Sequence, residues 1–157
     1  MIIRDAQNKD IPQLLKLLSE VLEIHAKIKP DYFVSGYTKY SEAELEAILK
    51  AEDVKVYVAD EDGRVLGYAF CMLQETLRKP FVVSFKYMYI DDLCVDSACR
   101  GKGIGKKLFA HVCEEAKALG CRDITLNVWE GNDSARKFYE NMGMFVKETQ
   151  MELVLED

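Results

Sequence analysis

The chain contains little histidine and no closely paired cysteines. Only two histidines occur in 157 residues, and the five cysteines include no C-x-x-C pair. Zinc sites need clustered Cys and His ligands, and disulfide frameworks belong mainly to small secreted domains with poor hydrophobic cores. We therefore expect free thiols in a reducing compartment and no metal site.

Long hydrophobic runs and an excess of positive charge are also missing. Charged residues interrupt the longest apolar stretches, and the N-terminal residues MIIRDAQ do not resemble a secretion signal. The formal net charge of −6 argues against nucleic acid or an anionic membrane as the main partner. These features predict a soluble, cytoplasmic protein. The negative net charge is compatible with a small cationic substrate.

The composition and the hydrophobic pattern predict one folded domain. With 157 residues, 49% of them hydrophobic, the chain can bury one sizeable core, so we expect a single domain over residues 1–157. In the first third of the chain the pattern predicts a short strand at 1–4, an amphipathic helix at 10–28 with a break near His25 left open, an aromatic loop at 29–40, and a helix from a Ser41–Glu44 capping box to about residue 51.

The middle of the chain changes to a strand-like period. Two β runs, from Val54 onward, meet at an Asp62-Gly63 turn typical of a hairpin. Beyond them the pattern predicts, in order, a strand at 81–95, a helix at 104–119 ending at Gly120, a strand at 123–128, a helix at 133–141 and a final strand pair at about 144–155. The predicted fold class is therefore α/β (α+β), with a mixed, largely antiparallel sheet flanked by helices.

A glycine-rich stretch, CRGKGIGKKLF at residues 99–109, lies between a predicted strand and a predicted helix. Glycine costs roughly 0.5–1 kcal/mol where a helix or strand could have used alanine, so three at alternate positions need a structural reason. A helix N-terminus offers exposed N–H groups and the positive end of the helix dipole, and glycine lets a phosphate approach the backbone. Four cations flank the glycines: Arg100, Lys102, Lys106 and Lys107. The stretch predicts a pyrophosphate site, with a simple helix entry as the alternative.

Two common phosphate-binding motifs do not fit this stretch. In a Walker A loop, G-x-x-x-x-G-K-[ST], aligned on Gly105-Lys106, the first glycine is replaced by Arg100. The final Ser or Thr of the motif is replaced by Lys107. The dinucleotide fingerprint G-x-G-x-x-G fails because Lys106 and Leu108 stand where its last glycine belongs. The sequence therefore lacks the motifs that would favour nucleotide hydrolysis or hydride transfer.

The pattern R-G-x-G-x-G at residues 100–105 resembles the pyrophosphate loop of the GNAT acyl-CoA-dependent N-acetyltransferases. The resemblance extends to YIDDLCVDSACRGKGIGKKL at residues 89–108, which looks like the family's fourth strand, loop and third helix. It also includes NDSARKFYENMGM at residues 132–144, which looks like the family's second conserved segment. The resemblance implies the GNAT fold and acetyl-CoA as acyl donor without a metal. It also makes a homodimer an open expectation, since GNAT proteins often dimerise.

The resemblance also implies which residues hold the acyl donor. Backbone groups of the fourth strand would contact the pantetheine arm and the acetyl carbonyl, and Asn132 would contact the donor as well. The strand residues are Leu93, Cys94 and Val95, and the pyrophosphate loop comprises Arg100, Gly101, Lys102, Gly103, Ile104, Gly105 and Lys106. The family's frequent proline after this strand is absent from Val95-Asp96-Ser97, which leaves the stiffness of the loop open.

Tyr139 corresponds to the tyrosine that lies near the CoA sulfur in the family. Amine acetylation needs a base for the ammonium proton, a backbone N–H for the oxyanion and a proton donor for the leaving thiolate. With a reference pKa of about 10, tyrosine suits the donor role. The alternative is a core aromatic beside Phe138 in an amphipathic helix.

Asp91 and Asp92, at the end of the fourth strand, are the candidates for the base or for a residue that orients water. Strand alternation places consecutive side chains on opposite faces, so we expect one of them to serve. The pair also resembles the acidic pair of polyamine acetyltransferases, a subgroup of the family, although aspartates at a strand end are often only solvated. His25 and His111 are expected to be packing or surface residues rather than bases.

The combined prediction is an N-acetyltransferase that transfers acetyl directly from acetyl-CoA to a primary amine in a ternary complex. The acceptor is expected to be a small cationic amine such as a polyamine, or a protein or peptide amine. A non-catalytic acyl-CoA-binding sensor or interaction module is the alternative, and the acidic pair and Tyr139 favour the enzyme.

Overall fold

The computed structural model describes residues 1–156, and this part of the chain contains a five-stranded sheet. The strands lie side by side in chain order; the first four are antiparallel neighbours, and the last pair is parallel. They are β1 (Ile2–Asp5), β2 (Val54–Glu61), β3 (Arg64–Glu75), β4 (Lys86–Val95) and β5 (Cys121–Leu126). The sheet is therefore mixed and largely antiparallel, which confirms the predicted fold class.

Helices accompany the sheet and begin where the local signals place them. They are α1 (Ile11–Ile28), α2 (Glu42–Lys50), α3 (Ile104–Ala118) and α4 (Asp133–Asn141). α1 has a proline in its first turn, where the missing N–H is not needed, and it continues unbroken past His25. Ser41 caps α2 by accepting the N–H of Glu44 at 3.1 Å. Among the described helices, none combines the length and the apolar character that a membrane crossing requires.

The hairpin between β2 and β3 forms at the predicted turn. Asp62 and Gly63 both have positive φ, 53° and 86°, which is the geometry that matches the twist of the flanking strands. The Asp60 carboxylate accepts the N–H of Gly63 at 2.8 Å and fixes the turn. The turn was predictable because its φ angles and its hydrogen bond involve only residues within the turn itself.

Helices pack on both faces of the sheet in the first part of the chain. On one face, α1 and α2 bury leucines such as Leu14 and Leu45 in a cluster with Tyr68 and Phe70 of β3. On the other face, α3 packs against the sheet, and its Leu108 lies beside Gly67, the neighbour of Tyr68. Because successive strand residues face opposite sides, this arrangement places α1 and α3 on opposite faces.

The chain divides into two compact units, residues 1–127 and the segment from Val128 onward. The first unit contains the whole sheet with α1, α2 and α3. The second contains α4, which is capped by Asn132 and followed by Gly143 with a φ of 97°. A single domain over residues 1–157 stays a prediction.

Three strand predictions differ from the structure. β4 begins at Lys86, not at residue 81, because Thr76 and Phe85 close a loop through backbone and side-chain hydrogen bonds of 3.0 and 3.1 Å. β5 begins two residues early, directly after the left-handed Gly120 that ends α3. The predicted strand pair at 144–155 is absent, since residues 144–156 form neither strand nor helix.

Candidate active site

β4 and β5 stop pairing at the point where the predicted site begins. β4 pairs with β3 as far as Val95, but it pairs with β5 only through Ile90. From residue 91 onward, β4 therefore has no strand neighbour on its β5 side within the described residues. The backbone of Leu93, Cys94 and Val95, predicted to contact the acyl donor, belongs to this segment.

A β-bulge occurs at the acidic pair. Phe70 of β3 opposes Asp92, while Cys71 opposes Ile90, so Asp91 is an extra residue in β4 without a partner in the register. A bulge re-aims side chains and interrupts simple alternation. The bulge therefore decides where the two carboxylates point.

Both carboxylates border the same aromatic cluster. Asp91 Oδ2 accepts the Tyr40 hydroxyl at 3.0 Å, and Asp92 Oδ2 accepts the Tyr68 hydroxyl at 2.7 Å. Tyr40 and Tyr68 both pack on the Phe70 ring, with centroid distances of 5.8 and 5.1 Å. The expectation that the carboxylates lie on opposite faces is therefore wrong, because the bulge turns Asp91 towards the cluster that already contains Asp92.

A lysine also contacts Asp91. Lys39, near the end of the 29–40 loop, donates from Nζ to Asp91 Oδ2 at 2.7 Å, and its Nζ lies 5.6 Å from the Tyr40 ring centroid. The Asp91 side chain retains 17% exposure, so a carboxylate, an aromatic face and an ammonium ion meet at the edge of solvent. The structure thus contains a primary ammonium ion bound at the predicted acidic site.

The titratable groups of this cluster are shifted mainly by burial. Burial raises the pKa of Asp92, although the hydrogen bond from Tyr68 opposes the change. Burial lowers the pKa of His25, with the Asp92 charge opposing, so this imidazole is neutral at pH 7. Burial also raises the pKa of Tyr40 and of Tyr68, whose hydroxyls therefore stay protonated as donors.

The cysteines beside the site remain thiols. Burial raises the pKa of Cys94 to about 12 and that of Cys71 to about 12. Because the thiolate is the nucleophile, neither residue is suited to carry an acyl group. The histidines pack as predicted: His25 lies 5.3 Å from the Phe33 ring and His111 lies 4.7 Å from the Tyr57 ring.

The glycine-rich loop has the backbone geometry of an anion site. Gly101 and Gly103 have φ values of 81° and 75°, which favour glycine. The first helical hydrogen bond of α3 runs from the Lys107 N–H to the Gly103 carbonyl at 3.1 Å. The N–H groups of Ile104, Gly105 and Lys106 therefore lack acceptors inside the helix. Ile104 is buried and anchors the turn, while Arg100, Lys102 and Lys106 are exposed.

Asp96 stiffens the entry to this loop without a proline. Its backbone N–H donates to the Leu66 carbonyl at 2.8 Å, and its Oδ1 accepts the Ala98 N–H at 3.0 Å. The carboxylate also accepts from Arg64 at 3.3 Å, and these contacts hold its pKa below the ordinary value. These hydrogen bonds therefore restrain the backbone at Val95-Asp96-Ser97, where the family's frequent proline is absent.

Two predicted site residues belong to the second unit. Asn132 caps α4, where its Oδ1 accepts the Ala135 N–H at 3.4 Å. Tyr139 is half-buried in α4, with its ring 5.1 Å from that of Phe138 in an edge-to-face arrangement. The roles of Asn132 with the donor and of Tyr139 as proton donor stay predictions.

A family model described as the GNAT acetyltransferase family matches residues 19–144. The chain belongs to the GNAT acetyltransferase family. Its relatives include a glucosamine 6-phosphate N-acetyltransferase of Trypanosoma brucei brucei, 32% identical over 101 residues, which cover 64% of this chain and 65% of that protein. The chain thus spans slightly less than two thirds of that relative's length. A thialysine N-epsilon-acetyltransferase of Bos taurus is 27% identical over 153 residues, which cover 91% of this chain and 83% of that protein.

Solved structures resemble this chain over almost its whole length. A mutant of the BH1408 protein from Bacillus halodurans superimposes with a TM-score of 0.94 at 34% identity, covering 99% of this chain and 100% of that one. Within residues 1–156 no group of three or more His, Cys, Asp or Glu side chains lies close enough to hold a metal ion.

The sequence alone did not predict all the residues that surround Asp91 and Asp92. Tyr68 and Lys39 contact the carboxylates, but neither lies near them in the chain. Gly67 is a further case: a Cβ at this position would lie 2.6 Å from the Cys94 carbonyl oxygen, so only glycine lets β3 approach β4 there. The available signal was a glycine inside a strand pattern, which often marks a close backbone approach.

Proposed function

We propose that this protein transfers an acetyl group from acetyl-CoA directly to the primary amine of a small cationic acceptor. The observation that carries the proposal is the contact between the Lys39 ammonium group and Asp91. An acceptor ammonium ion that displaced Lys39 would find the same carboxylate and the same Tyr40 ring face. These groups select positive charge.

The glycine-rich loop supports the proposed use of acetyl-CoA. Its pyrophosphate would lie against the N–H groups at the start of α3, and Arg100, Lys102 and Lys106 would balance the phosphate charge. The open side of β4 would offer backbone groups of Leu93 and Val95 to the pantetheine arm. An otherwise acidic chain thus concentrates cations where the donor is expected and anions where the acceptor is expected.

The proton transfers are assigned to two residues. A protonated amine cannot attack a thioester, so Asp91 accepts its proton or orients the water that does so. Asp92 is less suited, because burial and the Tyr68 hydrogen bond tie it into the cluster. Tyr139 protonates the departing thiolate of CoA, as the family resemblance implies. Buried thiols with raised pKa values support direct transfer over a cysteine-bound acyl intermediate.

The printed names of the relatives differ in the charge of the acceptor. The trypanosomal relative is named for glucosamine 6-phosphate, which carries a phosphate group, and the bovine relative for the ε-amine of thialysine. A phosphate near Asp91 and Asp92 would meet like charge, whereas an aminoalkyl group would not. The acidic cluster therefore favours an aminoalkyl acceptor, such as a polyamine or a lysine-like side chain.

An acceptor panel tests this proposal. Thiol release from acetyl-CoA is measured with polyamines, thialysine, lysine, glucosamine 6-phosphate and neutral amino compounds. We expect kcat/KM to be highest for the cationic amines, and the preference to weaken with added salt, because exposed charges are screened over roughly 8–10 Å. Preference for an anionic or neutral acceptor would contradict the assignment of the acceptor. Absence of turnover with every amine would favour a binding module.

A further inference from the structure

The Lys39 side chain is a primary amine of the protein itself that lies at the proposed acceptor site. Its Nζ donates to Asp91 Oδ2 at 2.7 Å and lies 5.6 Å from the centroid of the Tyr40 ring. The Lys39 side chain is 40% exposed, so it can leave the carboxylate without disturbing the core. An ion pair at the surface contributes little to stability. The stability of the fold therefore gives little reason for a lysine at this position.

Neighbouring contacts hold the backbone around Lys39 in place. On one side, the Tyr40 hydroxyl donates to Asp91 at 3.0 Å and connects the 29–40 loop to β4. On the other side, the Glu23 carboxylate of α1 accepts the N–H of Gly36 at 2.8 Å. The loop is therefore fixed to α1 and to the sheet on either side of Lys39, and only the lysine side chain has to move.

The amine of Lys39 also lies close to the place proposed for the acetyl group. The acetyl carbonyl is expected against the β4 backbone near Leu93, where β4 no longer pairs with β5. A strand rises about 3.3 Å per residue, so Leu93 lies about 7 Å along β4 from Asp91. Lysine has a flexible four-carbon stem, and rotation of that stem covers a distance of this order. Two reacting groups held this close react much faster than the same groups free in solution.

We propose that the protein acetylates its own Lys39 within one chain, and that this modification opens the acceptor site. The inference rests on the proposed function, because it uses the same acetyl donor and the same Asp91. The Lys39 ammonium group gives one proton to Asp91 or to a water that Asp91 orients. The nitrogen lone pair then forms an amide bond to the acetyl carbon, and the carbon–sulfur bond of the thioester breaks. The nitrogen loses a second proton, the CoA sulfur takes up one, and the other passes to solvent.

Acetylation removes the positive charge of Lys39 and with it the ion pair with Asp91. The carboxylate then has no internal ammonium ion to compete with a free cationic amine. Unmodified Lys39 thus inhibits the acceptor site, and acetyl-CoA relieves the inhibition through the activity of the same site.

Mass spectrometry of the protein after incubation with acetyl-CoA alone tests the modification. One acetyl group per chain is expected, and peptide mapping is expected to place it on Lys39. The modified fraction should grow at a rate that does not depend on protein concentration, because the transfer is intramolecular. Lys50 and Lys79 are exposed lysines outside the acidic cluster and measure uncatalysed acetylation in the same sample, which should be at least about tenfold slower. A Lys39→Arg variant keeps the positive charge and should gain no acetyl group at this rate.

Amine kinetics test the effect of the modification on the acceptor site. Protein that has been acetylated beforehand, and a Lys39→Gln variant that also lacks the charge, should show a KM for cationic amines up to about fivefold lower than the unmodified protein. Lys39→Arg should stay close to the unmodified protein, and circular dichroism verifies that each variant is folded. An unchanged KM after acetylation of Lys39 would overturn the proposed opening of the site.

The modification and the proposed function fail in different ways. Turnover of free amines without acetylation of Lys39, or with acetylation no faster than at Lys50 and Lys79, would overturn this inference alone. A rate that rises with protein concentration would mean transfer between copies, which also overturns it. Absence of both Lys39 acetylation and amine turnover would overturn the proposed function as well.

Discussion

Replacing Asp91 by asparagine keeps the shape of the side chain but removes the charge that we propose binds the cationic acceptor. Asp91 accepts one hydrogen bond from Lys39 at 2.7 Å and one from Tyr40 at 3.0 Å, and its side chain is 17% exposed. The acceptor ammonium ion, in the place of Lys39, would lose its charged partner. The substitution therefore isolates the electrostatic part of acceptor binding.

The size of the effect follows from the degree of burial. A hydrogen bond to a charged group contributes about 1.5–3 kcal/mol, whereas an exposed ion pair contributes about 0.2–1 kcal/mol. The Asp91 carboxylate is shielded on its Tyr40 side, so the larger range applies to a bound acceptor. At about 1.4 kcal/mol per factor of ten, KM for a cationic amine should rise about 10- to 100-fold.

The assay is the initial rate of thiol release at saturating acetyl-CoA, with the amine concentration varied. Asp31→Asn is the matched control, because it removes the same charge from the 29–40 loop at a side chain that is 65% exposed. It should change KM by less than about twofold. If Asp91 also takes the amine proton, kcat should fall together with the rise in KM. Unchanged KM and kcat in a folded Asp91→Asn variant would refute the proposed role of Asp91.

Lys39→Ala gives the reciprocal measurement in the same assay. Lys39 occupies Asp91 in the structure and must leave before another ammonium ion can bind there. Removing this internal competitor should lower KM for cationic amines and leave KM for neutral amines unchanged. A higher KM for cationic amines would instead mean that Lys39 helps to bind the acceptor.

Three further substitutions test the acetyl-CoA site, the proposed proton donor and Asp92. Gly105→Glu, at a helical position without positive φ, should weaken acetyl-CoA binding at least about tenfold through like-charge repulsion, as measured by calorimetry; equal affinity in a folded variant would contradict the loop assignment. Tyr139→Phe should lower kcat about 10²- to 10⁴-fold while acetyl-CoA affinity is retained. A kcat close to that of the parent protein would mean that Tyr139 only packs as a core aromatic. Burial raises the pKa of Asp92 in the folded protein, so the folded state binds this proton more tightly than the unfolded state does. The stability that this proton provides is therefore lost as pH rises from about 4 through the raised pKa. Asp92→Asn should therefore gain stability relative to the parent protein between pH 4 and pH 7 in denaturant titrations, and a pH-independent difference would argue against a raised pKa.

Features that depend on a few neighbouring residues were predictable from the sequence. The Ser41 cap, the Asp62-Gly63 turn and the Gly120 helix end all form where they were predicted. Each depends on backbone conformations and hydrogen bonds within about four positions, so the local sequence contains the necessary information. The glycine-rich loop belongs to this class, because its φ values and its exposed N–H groups follow from the residues themselves.

The position of the acidic pair depended on tertiary structure. Strand alternation alone predicts opposite faces for Asp91 and Asp92, but the bulge against Phe70 and Cys71 places both beside one aromatic cluster. A bulge is a property of the register between two strands, which the sequence of one strand does not specify. Tyr68 and Lys39 reach the pair through contacts 24 and 52 positions apart, so only the folded chain identifies them.

Residues 144–156 show the difference between the two kinds of information most clearly. Met151, Leu153 and Leu155 alternate as in a strand, and a strand pair was predicted at about 144–155, but residues 144–156 form neither strand nor helix. A helix completes its hydrogen bonds within one segment, whereas a strand completes them only with a neighbour. The alternating pattern by itself therefore indicates only that these residues suit an extended conformation. Only the tertiary structure decides whether a strand forms, because a strand needs a neighbour that completes its hydrogen bonds.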